Sequence, residues 1–209
     1  WEQHRKILVE LRKKYPKAKV IPELIMGLPG MTFDRILETH LDFAQIPMSY
    51  IFSYEWILLK KSPAYNPEYR KKHGLIATKT YYPAIFTGTD IAVIKTDEFN
   101  KNPQTSIDKS QAYFIDMVFD EHLGIQGVIY NKILTTAYND FYNQNKIDKF
   151  AGFMKENNKY ILDVCEKEAE LQQQYYDQYG FYIWGTVEKE YIRNYEIKIA
   201  RYISDATHF

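Results

Sequence analysis

The sequence predicts an α/β fold whose N-terminal part alternates helices with strands and whose C-terminal part is helical. Two runs rich in β-forming residues, AKVIPELIMG and MSYIFSYEWILL, each follow a stretch with helical periodicity. From Ser106 onward, apolar residues recur at helical spacing. The order helix, strand, helix, strand is the repeating unit of an α/β sheet or barrel, and a helical region follows it.

The first helix is predicted over Glu2–Tyr15 and ends at Pro16. The run AKVIPELIMG is apolar enough for a strand covered on both faces, although Pro22 argues for a strand start or an edge strand. After the Gly-Leu-Pro-Gly turn, Thr32 is a good N-cap for a second helix. That helix has an apolar face made of Phe33, Ile36, Leu37, His40 and Leu41, and Pro47 closes the connection to the second strand.

The pattern changes after the second strand. The loop KKSPAYNPEYRKKHG contains one helical turn, from Pro67 to His73, which Gly74 ends. Two β-like runs, LIATKTYYPAIF and TDIAVIKTDEF, are separated by Thr-Gly-Thr and predict a hairpin or a covering flap.

Four helical stripes are predicted after Ser106, and the short aromatic insert GFYIWG separates the last two. The domain boundary is predicted in KNPQT, so that residues 1–100 form the α/β part and residues 101–209 the helical domain. The apolar residues of the stripes are Tyr113, Phe114, Met117 and Val118; then Tyr130, Leu134, Ala137, Tyr138 and Phe141; then Ile147, Phe150, Met154, Ile161 and Val164; and last Ile192, Tyr195, Ile199 and Tyr202.

Composition and charge indicate a globular chain without an electrostatic preference for nucleic acid. The 209 residues are 45% apolar, and 27 basic residues balance 27 acidic ones, so no net field attracts phosphate or an anionic membrane. No segment approaches the ~20 apolar residues that span a bilayer, and no signal-peptide pattern is present, which makes the cytoplasm the expected location. The chain starts at Trp1 with an amphipathic pattern under way by Ile7, so we expect a piece of a longer or processed protein.

The cysteine and histidine residues do not form a ligand pattern. Cys165 is the only cysteine, which excludes an internal disulfide and a cysteine cluster for zinc or iron and sulfur. Its position near Ile161 and Val164 predicts a small buried apolar residue rather than a reactive thiol. His40 and His73 are interpreted as a helix-face histidine and a histidine at a helix C-terminus.

Two motifs in the N-terminal part carry a resemblance to a known family. PELIMGLPGMT, followed by a helix, a strand and SPAYNPEYRKKHGL, resembles the C-terminal half of a radical S-adenosylmethionine (SAM) enzyme barrel. It is most similar to the group with an upstream cobalamin-binding domain, which carries E-L-I-x-G-L-P-G-E-T and P-x-Y-x-x-P-E-Y-R-x-K-Y-G. The resemblance covers about residues 4–80. It departs from the family at Met31, where Glu is usual, and in lacking the three cysteines that hold the [4Fe-4S] cluster.

The resemblance implies a partial TIM-like barrel in which the first strand, PELIM, and the turn that follows it bind SAM. Glu23 would bind the amino or hydroxyl groups of SAM, since a carboxylate buried in an apolar strand needs a partner. Ile25, on the same strand face, would lie against the adenine. The turn residues Gly27, Leu28, Pro29 and Gly30 would bring backbone close to the cofactor; alternatively, Gly27, Pro29 and Gly30 only make a tight turn between strand and helix.

Glu55 and Trp56 are the candidate substrate-binding residues, because they interrupt the apolar run of the second strand near its C-terminal end, where barrel enzymes place their sites. Because successive side chains of a strand point to opposite faces, only one of the two can point inward. Glu55 is favoured for substrate binding, with a rim salt bridge to Lys60 or Lys61 as the alternative.

The function implied by the resemblance is reductive cleavage of SAM and hydrogen abstraction from an unknown substrate, with methyl transfer if cobalamin is used. The [4Fe-4S] cluster and any cobalamin would then be held by an upstream part of the same enzyme or by a separate chain. The alternative is a non-catalytic interaction protein in which the aromatic helices of residues 106–209 bind a partner. The 19 tyrosines fit an interface and a packed helical domain equally well.

Overall fold

A computed structural model describes residues 2–46, 49–82 and 113–183, and it shows a mixed α/β fold. The α/β prediction is therefore confirmed. In chain order the elements are α1 (Glu2–Lys14), β1 (Glu23–Met26), α2 (Phe33–Gln45), β2 (Phe52–Ile57), a 3-10 turn (Pro63–Tyr65), α3 (Pro67–Lys72), β3 (Leu75–Tyr82), β4 (Tyr113–Asp120), α4 (Gly124–Asn143), a 3-10 turn (Ile147–Lys149), α5 (Phe150–Tyr179) and β5 (Tyr182–Ile183).

A parallel β1–α2–β2 unit forms the N-terminal part of the fold. Glu23 lies opposite Phe52, and Ile25 lies opposite Tyr54. Thr32 is the N-cap of α2 and its side chain accepts a hydrogen bond from the Arg35 N–H at 3.2 Å, as predicted. The turn between β1 and α2 consequently lies at the C-terminal end of β1, the end at which α/β folds place ligands.

The five-stranded sheet has the order β1-β2-β4-β3-β5, and both β1 and β4 are hydrogen-bonded neighbours of β2. β2 pairs in parallel with β1 along Phe52–Glu55 and antiparallel with β4 at Trp56 and Ile57. β3 pairs antiparallel with β4 along its whole length and in parallel with the short β5. The described strands thus form a mixed sheet, in which β1 with β2 and β3 with β5 are parallel pairs and the pairs that β4 makes are antiparallel.

β1 and β4 meet end to end along one edge of β2. The N–H of Phe52 donates to the Pro22 carbonyl at 3.0 Å, and the N–H of Leu58 donates to the Asp116 carbonyl at 2.8 Å. Alternate residues of a strand direct their peptide groups to the same edge, so these two bonds lie on one edge of β2. The two neighbouring strands touch where the N–H of Asp120 donates to the carbonyl of Gly27 at 2.9 Å.

Helices α2, α4 and α5 cover one face of the sheet and enclose the main core. The apolar stripes predicted for α4 and α5 are confirmed, since Tyr138 and Phe141 of the first and Phe150 and Met154 of the second are buried there. The ring of Phe150 makes an edge-to-face contact with Tyr138 at 5.7 Å between centroids. These aromatic residues hold the helical layer together.

The prediction of helix from Ser106 onward is wrong for the first stripe, because Tyr113–Asp120 is a strand. Met117, Val118 and Phe119 are all buried, with Met117 and Phe119 in a different apolar cluster from Val118. A strand covered on both faces has consecutive apolar residues, and these also match a helical spacing. The opposite error affects β1, which was expected to be covered on both faces but exposes Glu23 and Ile25.

Several predictions fall on residues that the structure does not describe. β3 is a strand as predicted, but the second β-like run, TDIAVIKTDEF, lies outside the described residues, as do KNPQT and the last helical stripe. The insert GFYIWG contributes β5 to the sheet through Tyr182 and Ile183. β4, which follows the predicted boundary in sequence, pairs with β2 and β3, which precede it.

No helix among residues 2–46, 49–82 and 113–183 has the length and apolar character needed to cross a membrane.

Candidate functional site

The sheet face opposite the helices carries Glu23 and Ile25 of β1 beside aromatic residues of β2. Ile25 is 48% exposed, Phe52 41% and Tyr54 45%. The rings of Phe52 and Tyr54 are nearly parallel, with 6.1 Å between their centroids. Because Glu23 pairs with Phe52 and Ile25 with Tyr54, these side chains form one exposed platform, which we call the β1–β2 face.

Glu23 is solvent-exposed on this face, so the cost of burying a carboxylate does not demand a partner for it. The next residue, Leu24, points to the opposite face and packs against the helical core. Glu23 and Ile25 therefore share one face as predicted, and they present a carboxylate and an aliphatic side chain to solvent.

Gly27 is required by packing. It is buried with φ +78°, a backbone conformation that L side chains rarely adopt. A Cβ at this position would lie 2.7 Å from the Cβ of Phe119 and 2.9 Å from its Cα. The close approach of β1 to β4 accounts for Gly27, which favours the structural interpretation of this residue.

The rest of the turn lies at the surface. Leu28, Pro29 and Gly30 are exposed, and Gly30 has φ +72° with open space where a Cβ would stand. The N–H of Gly30 donates to Oδ2 of Asp120 at 3.1 Å. Gly30 is therefore required by backbone conformation and not by a close neighbour.

Asp120 is the residue of this site that the sequence analysis missed. Its side chain is buried, and Oδ1 accepts hydrogen bonds from the N–H groups of His122 at 2.9 Å and Leu123 at 3.3 Å. With the bond from Gly30, one carboxylate joins the β1–α2 turn to the turn that precedes α4. An Asp after an apolar run and before a helix is an N-cap signal, but nothing in the sequence indicates the contact with Gly30.

Glu55 and Trp56 point to opposite faces of β2, as the alternation predicts. Glu55 is half-buried and interacts with Lys132 of α4. Burial lowers the pKa of Lys132 to about 8, while the negative charges of Glu55 and Glu168 oppose that decrease. Trp56 packs against the apolar cluster that contains Val118. The two predicted substrate-binding residues consequently do not share a surface.

A chain of buried hydrogen bonds links β2, α4 and α2. Nδ1 of His40 must donate to the carbonyl of Ile36 at 2.8 Å, because a carbonyl only accepts, so Nε2 of the neutral ring accepts from the Thr135 hydroxyl at 3.0 Å. Thr135 in turn accepts from the hydroxyl of Ser53. Desolvation lowers the pKa of His40 to about 4, so the ring is neutral near pH 7.

His73 and Cys165, the remaining residues considered from the sequence, have structural surroundings. His73 follows the last residue of α3, and its ring lies 4.3 Å from that of Tyr69. Cys165 is buried in the main core, and burial raises the pKa of its thiol, as expected for a small apolar residue. Within the described part of the chain, no group of three His, Cys, Asp or Glu side chains is placed to hold a metal ion.

A cleft of about 260 Å³ lies between β2 and α4. Its walls are the residues Tyr50–Ser53 on the strand side and one face of α4, with Met26 at the side. The residues that α4 contributes are Lys132, Thr135, Thr136, Asn139, Asp140 and Asn143.

A scan against protein-family models finds no match to this chain, and a search of curated proteins finds no similar sequence.

Proposed function

We propose that this chain is the C-terminal part of a radical SAM enzyme barrel and that its β1–β2 face binds SAM. One observation carries the proposal. Helices pack on one face of the parallel β1–α2–β2 unit, whereas the other face presents Glu23 and Ile25 to solvent. In a TIM-like barrel the helices lie outside and the inward face carries residues that contact ligand near the C-terminal ends of the strands.

The residues of the β1–β2 face fit the parts of SAM. The carboxylate of Glu23 would accept hydrogen bonds from the amino group or from ribose hydroxyls. Ile25, with Tyr54 beside it, would offer an apolar and aromatic surface to the adenine ring. The Gly27–Gly30 turn would border the bound molecule at the end of β1 and is held in place through Asp120.

The residues of this chain do not fit a [4Fe-4S] cluster. Its single cysteine is buried in the core with a raised thiol pKa, whereas such a cluster is held by several thiolates. In this proposal the cluster, and cobalamin if it is used, belong to an upstream part of the enzyme or to a separate chain. The described residues then position SAM and limit its access to water, and no step of the radical reaction is assigned to them.

The alternative function is a non-catalytic interaction module, and the exposed aromatic residues of β2 are the observation that favours it. Tyr50, Phe52 and Tyr54 are all exposed, and Tyr50 lies 5.1 Å from Phe52 between ring centroids. Exposed aromatic residues in contact are typical of protein interfaces. By contrast, the aromatic residues of α4 that were considered for this role, including Tyr130, Tyr138 and Phe141, are buried.

Titration of SAM into the ¹⁵N-labelled chain tests the proposed function. We expect saturable shifts of the Glu23, Ile25 and Gly30 amide signals, and a loss of affinity in Glu23→Gln of roughly 1 to 3 kcal/mol, the range for a charge-assisted hydrogen bond. Glu38→Gln, at an exposed position of α2, is the matched control and should bind SAM like the wild type. Shifts that do not map to β1, or equal affinities of wild type and Glu23→Gln, would remove this assignment.

A further inference from the structure

The second edge of β2 is not paired with a strand in the described part of the chain. β1 and β4 occupy one edge, through the peptide groups of Phe52 and Leu58. By the alternation of a strand, the peptide groups of Ile51 and Ser53 point to the other edge. That edge faces α4 across the cleft of about 260 Å³.

At Ile51 a side-chain carboxamide takes the place of a strand. The Ile51 N–H donates to Oδ1 of Asn139, and Nδ2 of Asn139 donates to the Ile51 carbonyl, both at 2.9 Å. One planar amide thus satisfies the N–H and the C=O of a single strand residue. The Asn139 side chain therefore shows that a planar carboxamide can bind the N–H and the C=O of one residue at this edge.

Ser53 presents the same donor and acceptor pair two residues further along the strand. Ser53 lies opposite Leu24 of β1 in register, but by the alternation of a strand its N–H and C=O point away from β1, and Ser53 lines the cleft beside Thr135 and Thr136. The hydroxyl of Thr136 donates to the Lys132 carbonyl at 3.0 Å, which leaves its oxygen able to accept from a bound molecule. The cleft thus combines an apolar strand side, from Tyr50 to Phe52, with polar groups at Ser53 and along α4.

We propose that this cleft binds a small molecule with a planar amide, a carboxamide or a cyclic imide, which pairs with the N–H and C=O of Ser53 as Asn139 pairs with Ile51. An added peptide strand does not fit, because Asn139 occupies the edge at Ile51 and a peptide would need several consecutive residue pairs. The volume of about 260 Å³ suits one small ring or amide, close to the lower end of small-molecule sites. This inference does not depend on SAM binding, since the contact uses the Ser53 peptide group, which is not part of the β1–β2 face, although Phe52 borders both surfaces.

Nicotinamide is a suitable probe, and nicotinate is its control because a carboxylate replaces the amide and lacks the N–H donors. In ¹H–¹⁵N spectra of the labelled chain, nicotinamide should cause a saturable shift of the Ser53 amide signal, with an affinity about tenfold or more above that of nicotinate, the effect of one hydrogen bond. Absence of a saturable Ser53 shift at millimolar nicotinamide would overturn the proposal. Equal binding of nicotinate would do so as well.

Ser53→Pro removes the N–H donor that the proposal requires and that the sheet does not use. Ser53→Ala, which keeps that N–H and removes the hydroxyl, is the matched control. We expect Ser53→Ala to bind nicotinamide within about threefold of wild type and Ser53→Pro to lose about tenfold or more. Retained binding in a folded Ser53→Pro variant contradicts the proposed contact.

If Ser53→Pro fails to fold, a second variant tests whether this edge of β2 selects amides. Asn139→Ala leaves the Ile51 peptide group without its carboxamide partner and so creates a second site of the same chemistry. Acetamide should raise the Tm of Asn139→Ala by more than it raises that of the wild type, and acetate should not. Identical responses to acetamide and acetate would show that the edge does not select amides.

Discussion

The buried carboxylate of Asp120 accepts the backbone N–H of Gly30 across 90 positions of sequence, at 3.1 Å. The same carboxylate accepts the N–H groups of His122 and Leu123. One side chain therefore fixes the turn after β1 and the start of α4 relative to each other.

Replacing Asp120 by Asn should destabilise the fold and loosen the turn after β1. The amide can keep one oxygen as an acceptor, but its NH₂ group then faces an N–H donor, so we expect a loss of about 1.5 to 3 kcal/mol in urea unfolding. Hydrogen exchange at the Gly30 amide should accelerate as well. Asp148→Asn is the control, because its ion pair with Lys149 is exposed and 3.9 Å long, and it should change stability by about 0.5 kcal/mol or less. An unchanged exchange rate at Gly30 would contradict the role of Asp120 in holding the turn.

Gly27 and Gly30 should respond differently to alanine, although both have positive φ. Gly30→Ala meets open space and should cost about 1 kcal/mol, the conformational term alone. Gly27→Ala places its Cβ 2.7 Å from the Cβ of Phe119 and should cost about 2 kcal/mol more, in the range for overpacking. Urea unfolding of the two variants measures the difference, and equal losses would show that β1 can move away from β4 without cost.

His40 should make stability depend on pH below neutrality. Its folded pKa of about 4 lies below the unfolded value of 6.5, so the unfolded chain binds more protons between these values and stability falls as pH falls from 6.5 to 4. Between pH 7.5 and pH 5 the loss should be about 2 kcal/mol.

Unfolding of the wild type and of His40→Gln at both pH values isolates that contribution. The variant keeps an acceptor for Thr135 but does not titrate, so its pH dependence should be about 2 kcal/mol smaller. His122→Gln, at an exposed site, should retain the pH dependence of the wild type. If wild type and His40→Gln lose the same stability, His40 is not the group responsible.

The sequence predicts those elements that depend on capping or periodicity within one segment. It does not predict contacts between segments that are distant in the chain. Thr32 at the start of α2 and the aromatic stripe of α4 follow from capping and period within one segment. The pairing of β4 with β3, from Leu75 opposite Asp120 to Tyr82 opposite Tyr113, is set between segments far apart in the chain.

The candidate site shows the same division. The alternation of β1 places Glu23 and Ile25 on one face, and the alternation of β2 separates Glu55 from Trp56. The exposure of Glu23 depends on which elements cover the sheet, and the need for Gly27 depends on the approach of Phe119. Neither can be derived from the residues adjacent in sequence.

The end-to-end meeting of Gly27 with Asp120 leads us to expect a definite order of events in folding. The β1–α2–β2 unit closes through short loops, whereas the junction of Gly27 with Asp120 requires two distant parts of the chain to find each other. Contacts of high sequence separation slow folding, because chain entropy is lost before they form. We therefore expect the turn after β1 to take its final shape only after β4 has paired, so that PELIMGLPG alone does not hold the conformation that Asp120 gives it.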